Sequence, residues 1–315
     1  MDFWISFANF FASAIRLTAP IALGTLACTI SERAGVINIG IEGSMLFSGF
    51  LAAVGAYYTG SPWVGLLCGC AAGVFLALIL GVLAIYCNGQ QIVIGIGLNL
   101  FGPGFAYMLM RTLWDTTGIS PWVEGFQAVN IPFLSRVPIA GTMLSGYPAC
   151  IYLGLLAVAV MQYLLHRTAW GLRIRAVGEN PNTADAAGIN VTKYKYVATC
   201  AGSMIAGLGG LYYVMDYACG VWSNNGFGDR GWLAIALVIF TVWRPNIGVF
   251  ASFLFGGLYI LHMFIPSGMN LAVKELYKML PYVITILVLV IVSMQKKREN
   301  DPPASLGLSY FREER

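Results

Sequence analysis

The chain has 315 residues, of which 58% are hydrophobic and only 10% are charged, and its formal net charge is +4. Soluble domains average about 25% charged residues, so this composition excludes an ordinary soluble protein and predicts an all-α polytopic membrane protein. We interpret the positive charge as a signal of membrane orientation rather than of nucleic-acid binding, because it is concentrated in loops and near the C-terminus.

Eight apolar runs are each long enough to cross a bilayer, which takes about 20 helical residues. They occupy residues 8–30, 34–58, 62–86, 91–112, 149–166, 195–217, 246–265 and 278–294. A ninth run, 231–243, is short for a full crossing, so we expect a broken or half-length helix there. The pattern predicts about nine transmembrane helices in a single domain, residues 1–300, followed by a cytoplasmic tail, 301–315.

Basic residues in the short segment 167–195 and at 296–298 place both on the cytoplasmic side and the N-terminus outside. Lys274 and Lys278 then fall on the outer side, but inverting the chain would misplace more basic residues. The outer segment 113–148 is rich in Pro and Trp, so we expect an ordered extracytoplasmic cap. This cap either receives a soluble partner or passively covers the helices.

Residues 31–43, between two apolar runs, have the sequence Ser-Glu-Arg-Ala-Gly-Val-Ile-Asn-Ile-Gly-Ile-Glu-Gly. The glycines weaken regular helix, and Asn38 and Glu42, four residues apart, would share a helical face. Irregular polar backbone persists in a bilayer only where protein buries it or water wets it, which predicts a path for a polar solute. The alternative is a glycine patch for helix packing, because about six Leu-like residues would offset the roughly 3 kcal/mol cost of one carboxyl.

The segment 167–195 contains the signals of a short helix outside the membrane. Asn180 is a good N-cap, Pro181 suits the first helical position and Gly188 suits the position after the last turn, with alanines between them. A compact helix of this kind fits a groove on a partner protein. Adsorption to lipid is the alternative, but an apolar face made mostly of alanine is too small to favour it.

Three stretches resemble one family of transporters. Residues 176–189, Ala-Val-Gly-Glu-Asn-Pro-Asn-Thr-Ala-Asp-Ala-Ala-Gly-Ile, are similar to the coupling-loop signature of ABC importer permeases in the branched-chain amino acid/ribose permease family. Residues 31–43 and 226–236 resemble two further motifs of the nucleoside-type subgroup.

The resemblance implies a multi-pass protein of the bacterial inner membrane that pairs with a second permease subunit, homologous or identical. It also implies an extracytoplasmic solute-binding lipoprotein or periplasmic protein, and cytoplasmic ATPase subunits that dock on a coupling helix. The matching positions are Gly178, Glu179, Asn180, Pro181, Ala184, Asp185, Ala187 and Gly188. A nucleoside is the solute most often assigned to this subgroup, and riboflavin and simple sugars also occur among close relatives.

Four polar residues are the predicted lining of the substrate pathway: Asn38, Glu42, Asn99 and, at the outer end of its span, Asp216. Amide and carboxyl groups are suitable hydrogen-bond partners for the hydroxyls and base edges of a nucleoside. For Asn99, helix packing is the alternative role.

The chain contains no G-x-x-x-x-G-K-[ST] motif, so ATP would be bound by a partner subunit. We find no motif for an enzyme, and we expect no cofactor and no metal site, because the two histidines and seven cysteines have no metal-ligand spacing. An ion-coupled secondary transporter that uses Glu42 and Asp216 is the alternative function. That class often has two corresponding broken helices, and residues 31–43 have no convincing second copy. A membrane scaffold with no transport activity is a third possibility.

Overall fold

The structure is a computed structural model that describes residues 2–116, 118–130, 143–224, 226–264, 271–294 and 301–311. Within these ranges the chain forms eleven α-helices and one short antiparallel β-ladder. The helices are α1 Asp2–Arg33, α2 Ile41–Thr59, α3 Pro62–Gly81, α4 Gln91–Trp114, α5 Ala149–Arg167, α6 Ala169–Glu179, α7 Pro181–Ala186, α8 Val191–Tyr212, α9 Arg230–Phe240, α10 Pro245–Ile260 and α11 Leu271–Met294. The ladder pairs β1, Ala128–Val129, with β2, Tyr147–Pro148.

Three helices continue into tighter or wider turns. π-helical turns extend α3 over Val82–Tyr86 and α8 over Tyr213–Tyr217, and a 3-10 turn, Leu261–Phe264, follows α10. Such π-turns are frequent at functional sites in helical proteins.

Five helices in the described ranges are long and apolar enough to cross a membrane: Ile5–Arg33, Pro62–Tyr86, Gln91–Trp114, Ala149–Arg167 and Val191–Tyr217. The prediction of a helical, multi-pass membrane protein is therefore confirmed, whereas the number of about nine crossings stays a prediction. The short run predicted at 231–243 corresponds to α9, which has only 11 residues.

Helix α2 lies inside the bundle, with 13 of its 19 residues buried. It packs with α1 and α3 around α8, and small residues allow the backbones to approach. A methyl group on Gly210 of α8 would lie 2.8 Å from the carbonyl carbon of Met45 and 3.1 Å from the nitrogen of Gly49, both in α2. A methyl group on Gly207 would lie 3.2 Å from the carbonyl carbon of Gly69 in α3. Glycine therefore sets the helix spacing at the centre of the fold.

Residues 34–40 are not helical, as the glycines of segment 31–43 indicate. Gly35 has a left-handed φ of +80°, and the Ile37 N–H donates to the side chain of Gln91 at 2.7 Å instead of to a helix carbonyl. The expectation that Asn38 and Glu42 share one helical face is therefore wrong, because α2 begins at Ile41. The predicted crossing 34–58 also begins too early, for the same reason.

The loop 167–195 contains two helices, of which only the second was predicted. Thr168 caps α6 by accepting from the N–H of Gly171 at 3.2 Å, and this helix has no counterpart among the predicted elements. Asn180 caps α7 by accepting from the N–H of Thr183 at 3.0 Å, and Gly188 follows with a φ of +79°. The helix predicted at 180–188 is thus present at Pro181–Ala186.

Residues 301–311 pack against the end of α6 and against segment 34–40. The Ser305 N–H donates to the Gly178 carbonyl at 3.0 Å, and the Gly307 N–H donates to the Gly35 carbonyl at 3.2 Å. The predicted cap, 113–148, includes residues 117 and 131–142, which lie outside the described ranges. Its described part bonds to the residues after α8, for example through the Val123 N–H and the Gly220 carbonyl at 2.9 Å.

Candidate functional site

A cavity of about 430 Å³ lies between α2, α4 and the N-terminal end of α9. Its wall combines carboxylate, amide and aromatic side chains with aliphatic ones. The lining residues are Glu42, Leu46, Ile96, Asn99, Leu100, Asn224, Phe227, Gly228, Asp229 and Trp232. The cavity therefore brings together two of the four predicted pathway residues, Glu42 and Asn99.

Glu42 is 7% exposed and links α2 to α9. Its Oε2 accepts a hydrogen bond from the backbone N–H of Gly231, in the first turn of α9. The first N–H groups of a helix have no partner within the helix and carry partial positive charge, so a carboxylate stabilises this end. The contact requires glycine, because a methyl group on Gly231 would lie 2.6 Å from both the Cα and Oε2 of Glu42.

Asn99 of α4 joins the cavity wall to the irregular segment 34–40. Its Nδ2 donates to the Ile39 carbonyl at 2.9 Å, and its Oδ1 accepts from the Gly43 N–H at 2.8 Å. Both ends of the amide therefore bond to backbone groups around the start of α2. This arrangement supports the packing role that was the alternative for Asn99. The same side chain still lines the cavity.

Asn38 and Asp216 lie elsewhere in the described part of the chain. Asn38 is 1% exposed, and its Nδ2 donates to the Ser203 hydroxyl of α8 at 3.3 Å. Among the described residues, no donor reaches its Oδ1. Asp216, in the π-turn after α8, accepts from the Phe126 N–H at 3.1 Å. The two carboxylates of the ion-coupled alternative, Glu42 and Asp216, thus do not share this cavity.

The loop before α9 supplies residues that sequence reasoning missed. Asp229 adopts a left-handed φ of 56° directly before the helix, and the Trp232 side chain is 43% exposed beside the cavity. Arg230 lies over the rings of Tyr213 and Tyr217, 4.8 and 5.1 Å from their centroids, and donates to the Phe227 carbonyl. Segment 226–236 was recognised only as a family-like motif, and the adjacent opposite charges of Asp229 and Arg230 at the edge of an apolar run were the signal that could have marked it as part of the site.

The C-terminal end of α9 is held by the first residues of segment 31–43. The indole N–H of Trp243 donates to Glu32, which is 5% exposed, and Arg33 donates to the Trp243 carbonyl at 3.0 Å and to the Val242 carbonyl at 3.3 Å. Val242 and Trp243 have left-handed φ values of 54° and 53°. Each such residue costs about 1–3 kcal/mol and persists only where its surroundings hold it. We call this set of contacts the Glu32–Trp243 clasp.

The predicted coupling residues differ in exposure. Gly178 and Ala184 are buried, so they pack α6 and α7 against the rest of the chain. Four others are exposed: Glu179, Asn180, Ala187 and Gly188. Pro181 and Asp185 are half-buried. Residues at both ends of α7 are therefore exposed, whereas its middle packs on the chain.

The chain matches the family model described as branched-chain amino acid transport system / permease component, over residues 10–289. It is 34% identical over 260 residues to a putative glucose ABC transporter permease, TsgC13, of Haloferax volcanii. The aligned region covers 81% of this chain and 77% of the relative. It is 32% identical over 285 residues to the guanosine ABC transporter permease NupQ of Bacillus subtilis, covering 86% and 88%.

A third relative is the nucleoside ABC transporter permease NupC of Lactococcus lactis, 30% identical over 295 residues and covering 88% of this chain and 90% of the relative. No solved structure matches the chain. The family model covers most of the sequence and includes α1–α10 almost entirely. The chain is therefore a multi-pass permease component of an ABC transporter and belongs to the branched-chain amino acid transport permease family.

Proposed function

We propose that the chain is the transmembrane permease subunit of an ATP-driven importer and that it forms the pathway for a small polar solute, with a nucleoside as the favoured solute. The observation that carries the proposal is the cavity beside Glu42, which combines two carboxylates, two amides and two aromatic rings. Relatives named for guanosine and for nucleosides support this solute class. The relative named for glucose keeps a simple sugar open, and riboflavin remains a further candidate.

The cavity offers complementary groups for both halves of a nucleoside. Glu42 and Asp229 can accept hydrogen bonds from ribose hydroxyls, and the Asn224 amide can both donate to and accept from a base edge. The exposed face of Trp232 offers a surface on which a base stacks. A volume of about 430 Å³ falls within the roughly 300–1,000 Å³ range of small-molecule sites.

Energy for transport comes, in this proposal, from separate cytoplasmic ATPase subunits that dock on α7. The support is the capped helix itself, together with the exposed residues Glu179, Asn180, Ala187 and Gly188 around it. A second permease subunit, homologous or identical, completes the pathway, and an extracytoplasmic lipoprotein or periplasmic protein delivers the solute. The setting is the bacterial inner membrane, and the chain itself needs no cofactor.

The test is reconstitution of the chain with its ATPase, its second permease and its solute-binding protein in proteoliposomes. Guanosine, glucose and riboflavin are compared for ATP-dependent entry. Uptake of guanosine that requires ATP and the ATPase supports the proposal. Uptake driven by a proton or sodium gradient without ATP refutes it, and ATP-dependent uptake of glucose alone would keep the importer but reject the nucleoside.

A further inference from the structure

Helix α9 borders the cavity with its N-terminal end, and charged residues of segment 31–43 bond to the backbone or side chains at both of its ends. At the N-terminal end, Gly231 donates to Glu42, and Asp229 and Trp232 beside it line the cavity. The opposite end continues into the turn at Val242, which belongs to the Glu32–Trp243 clasp.

The clasp is also in direct contact with the helix that precedes α7. A methyl group on Gly178, near the end of α6, would lie 3.0 Å from the carbonyl carbon of Arg33 and 3.2 Å from the nitrogen of Gly35. The backbone of α6 therefore packs on the residue whose side chain bonds to Val242 and Trp243. Residues 301–311 bond to both partners of this contact, because the Ser305 N–H donates to the Gly178 carbonyl and the Gly307 N–H donates to the Gly35 carbonyl.

We propose that α9 is a rigid link that carries motion of the α6–α7 region to the solute cavity, and that Glu32 and Arg33 are the positioning residues that engage it. The inference rests on the proposed function, because it requires an ATPase that moves α7. A displacement of Gly178 shifts Arg33, and Arg33 with Glu32 shifts Trp243. A short continuous helix transmits this shift to Gly231 and so to the cavity wall.

The experiment measures whether nucleotide on the ATPase changes the cavity. Asp229→Cys places a thiol in the cavity wall of the assembled complex, and its reaction rate with a small aqueous thiol reagent is measured with and without a non-hydrolysable ATP analogue. Labelling is corrected for the complex that lacks the added cysteine. With the clasp intact, we expect the two rates to differ by about fivefold or more, the lower bound of common coupling strengths.

Three clasp variants and one matched control are then compared. Trp243→Phe removes the indole donor, and Glu32→Ala removes its acceptor, so each should reduce the nucleotide effect to less than about twofold. Glu32→Gln keeps an acceptor oxygen and should retain most of the effect. Tyr212→Phe removes another hydrogen bond between residues distant in sequence, the part-buried bond from the Tyr212 hydroxyl to the Arg16 carbonyl at 3.0 Å. It should retain the full effect.

Retention of the ATPase and a monodisperse elution profile show that each variant is folded and assembled. A nucleotide effect that persists in both Trp243→Phe and Glu32→Ala overturns the inference, and so does an equal loss in Tyr212→Phe. These outcomes leave the proposed function standing, since ATP-dependent uptake by the parent complex is a separate measurement. Absence of any bound ATPase on the parent chain would instead refute the proposed function.

Discussion

The contact between α2 and α9 makes a quantitative prediction for Gly231→Ala. The added methyl carbon would lie 2.6 Å from the Glu42 Cα and 2.8 Å from the Glu42 nitrogen, whereas ordinary van der Waals contact begins at 3.4 Å. Backbone cannot rotate aside as a side chain can, so α9 must move away from α2 by about 0.8 Å, the difference between 3.4 and 2.6 Å. Such overpacking costs about 1–3 kcal/mol, and the hydrogen bond to Glu42 lengthens with it.

Thermal unfolding of the purified chain in detergent, followed by tryptophan fluorescence, measures the loss of stability. Gly97→Ala is the matched control, because it adds the same methyl group to a membrane helix where nothing lies within 4 Å. Alanine in a helix interior is favoured over glycine by roughly 0.5–1 kcal/mol, so this control should be neutral or slightly more stable. If Gly231→Ala unfolded at the same temperature as Gly97→Ala, the close approach of α9 to α2 would be wrong.

Three further predictions test the cavity and the docking region. Trp232→Ala should raise the KM for guanosine uptake by about 5- to 150-fold, because a base stack is worth about 1–3 kcal/mol. Trp232→Phe keeps an aromatic ring and should keep most of the affinity, so equal KM values in both variants would exclude stacking. Asn99→Leu leaves the Gly43 N–H and the Ile39 carbonyl without their partner. The loss should destabilise the chain by about 1–3 kcal/mol for each of these two backbone groups. An unchanged unfolding temperature in the thermal assay would contradict the packing role. Asn180→Ala removes the cap of α7 at a cost of about 1 kcal/mol and should reduce the ATPase recovered by affinity purification, whereas Asn180→Ser keeps a capping oxygen and should retain it.

The fold class and α7 could be predicted because their signals are local. A run of apolar residues gives the length of a span, and Asn180, Pro181 and Gly188 occupy the positions that their own chemistry favours at helix ends. The break between α1 and α2 was likewise indicated by glycines in segment 31–43. Its effect on Asn38 was missed, because the i and i+4 spacing has meaning only where the helix is continuous.

The cavity could be predicted only in part, since most of its wall depends on contacts that are distant in sequence. Glu42 and Gly231 are separated by 189 positions, and Trp243 lies 211 positions from Glu32. The insertion cost of a single carboxyl could not distinguish a pathway role from a packing role. In the structure, Glu42 both lines the cavity and bonds to a helix end, so a packing role does not exclude a role in the proposed pathway.

Charged residues of segment 31–43 bond to the backbone at both ends of the short helix α9. A helix of 11 residues is about 16 Å long, roughly half of the ~30 Å hydrocarbon core, so it is too short to cross a bilayer by itself, and the backbone groups at its ends need partners from outside the helix. Glu42 supplies a negative charge at its N-terminal end, and Arg33 supplies donors to the carbonyls that follow its C-terminal end. The carboxylate at the N-terminal end is the arrangement that the helix dipole favours. A half-length helix with both ends anchored in this way can lie beside a polar cavity without exposing its backbone to lipid.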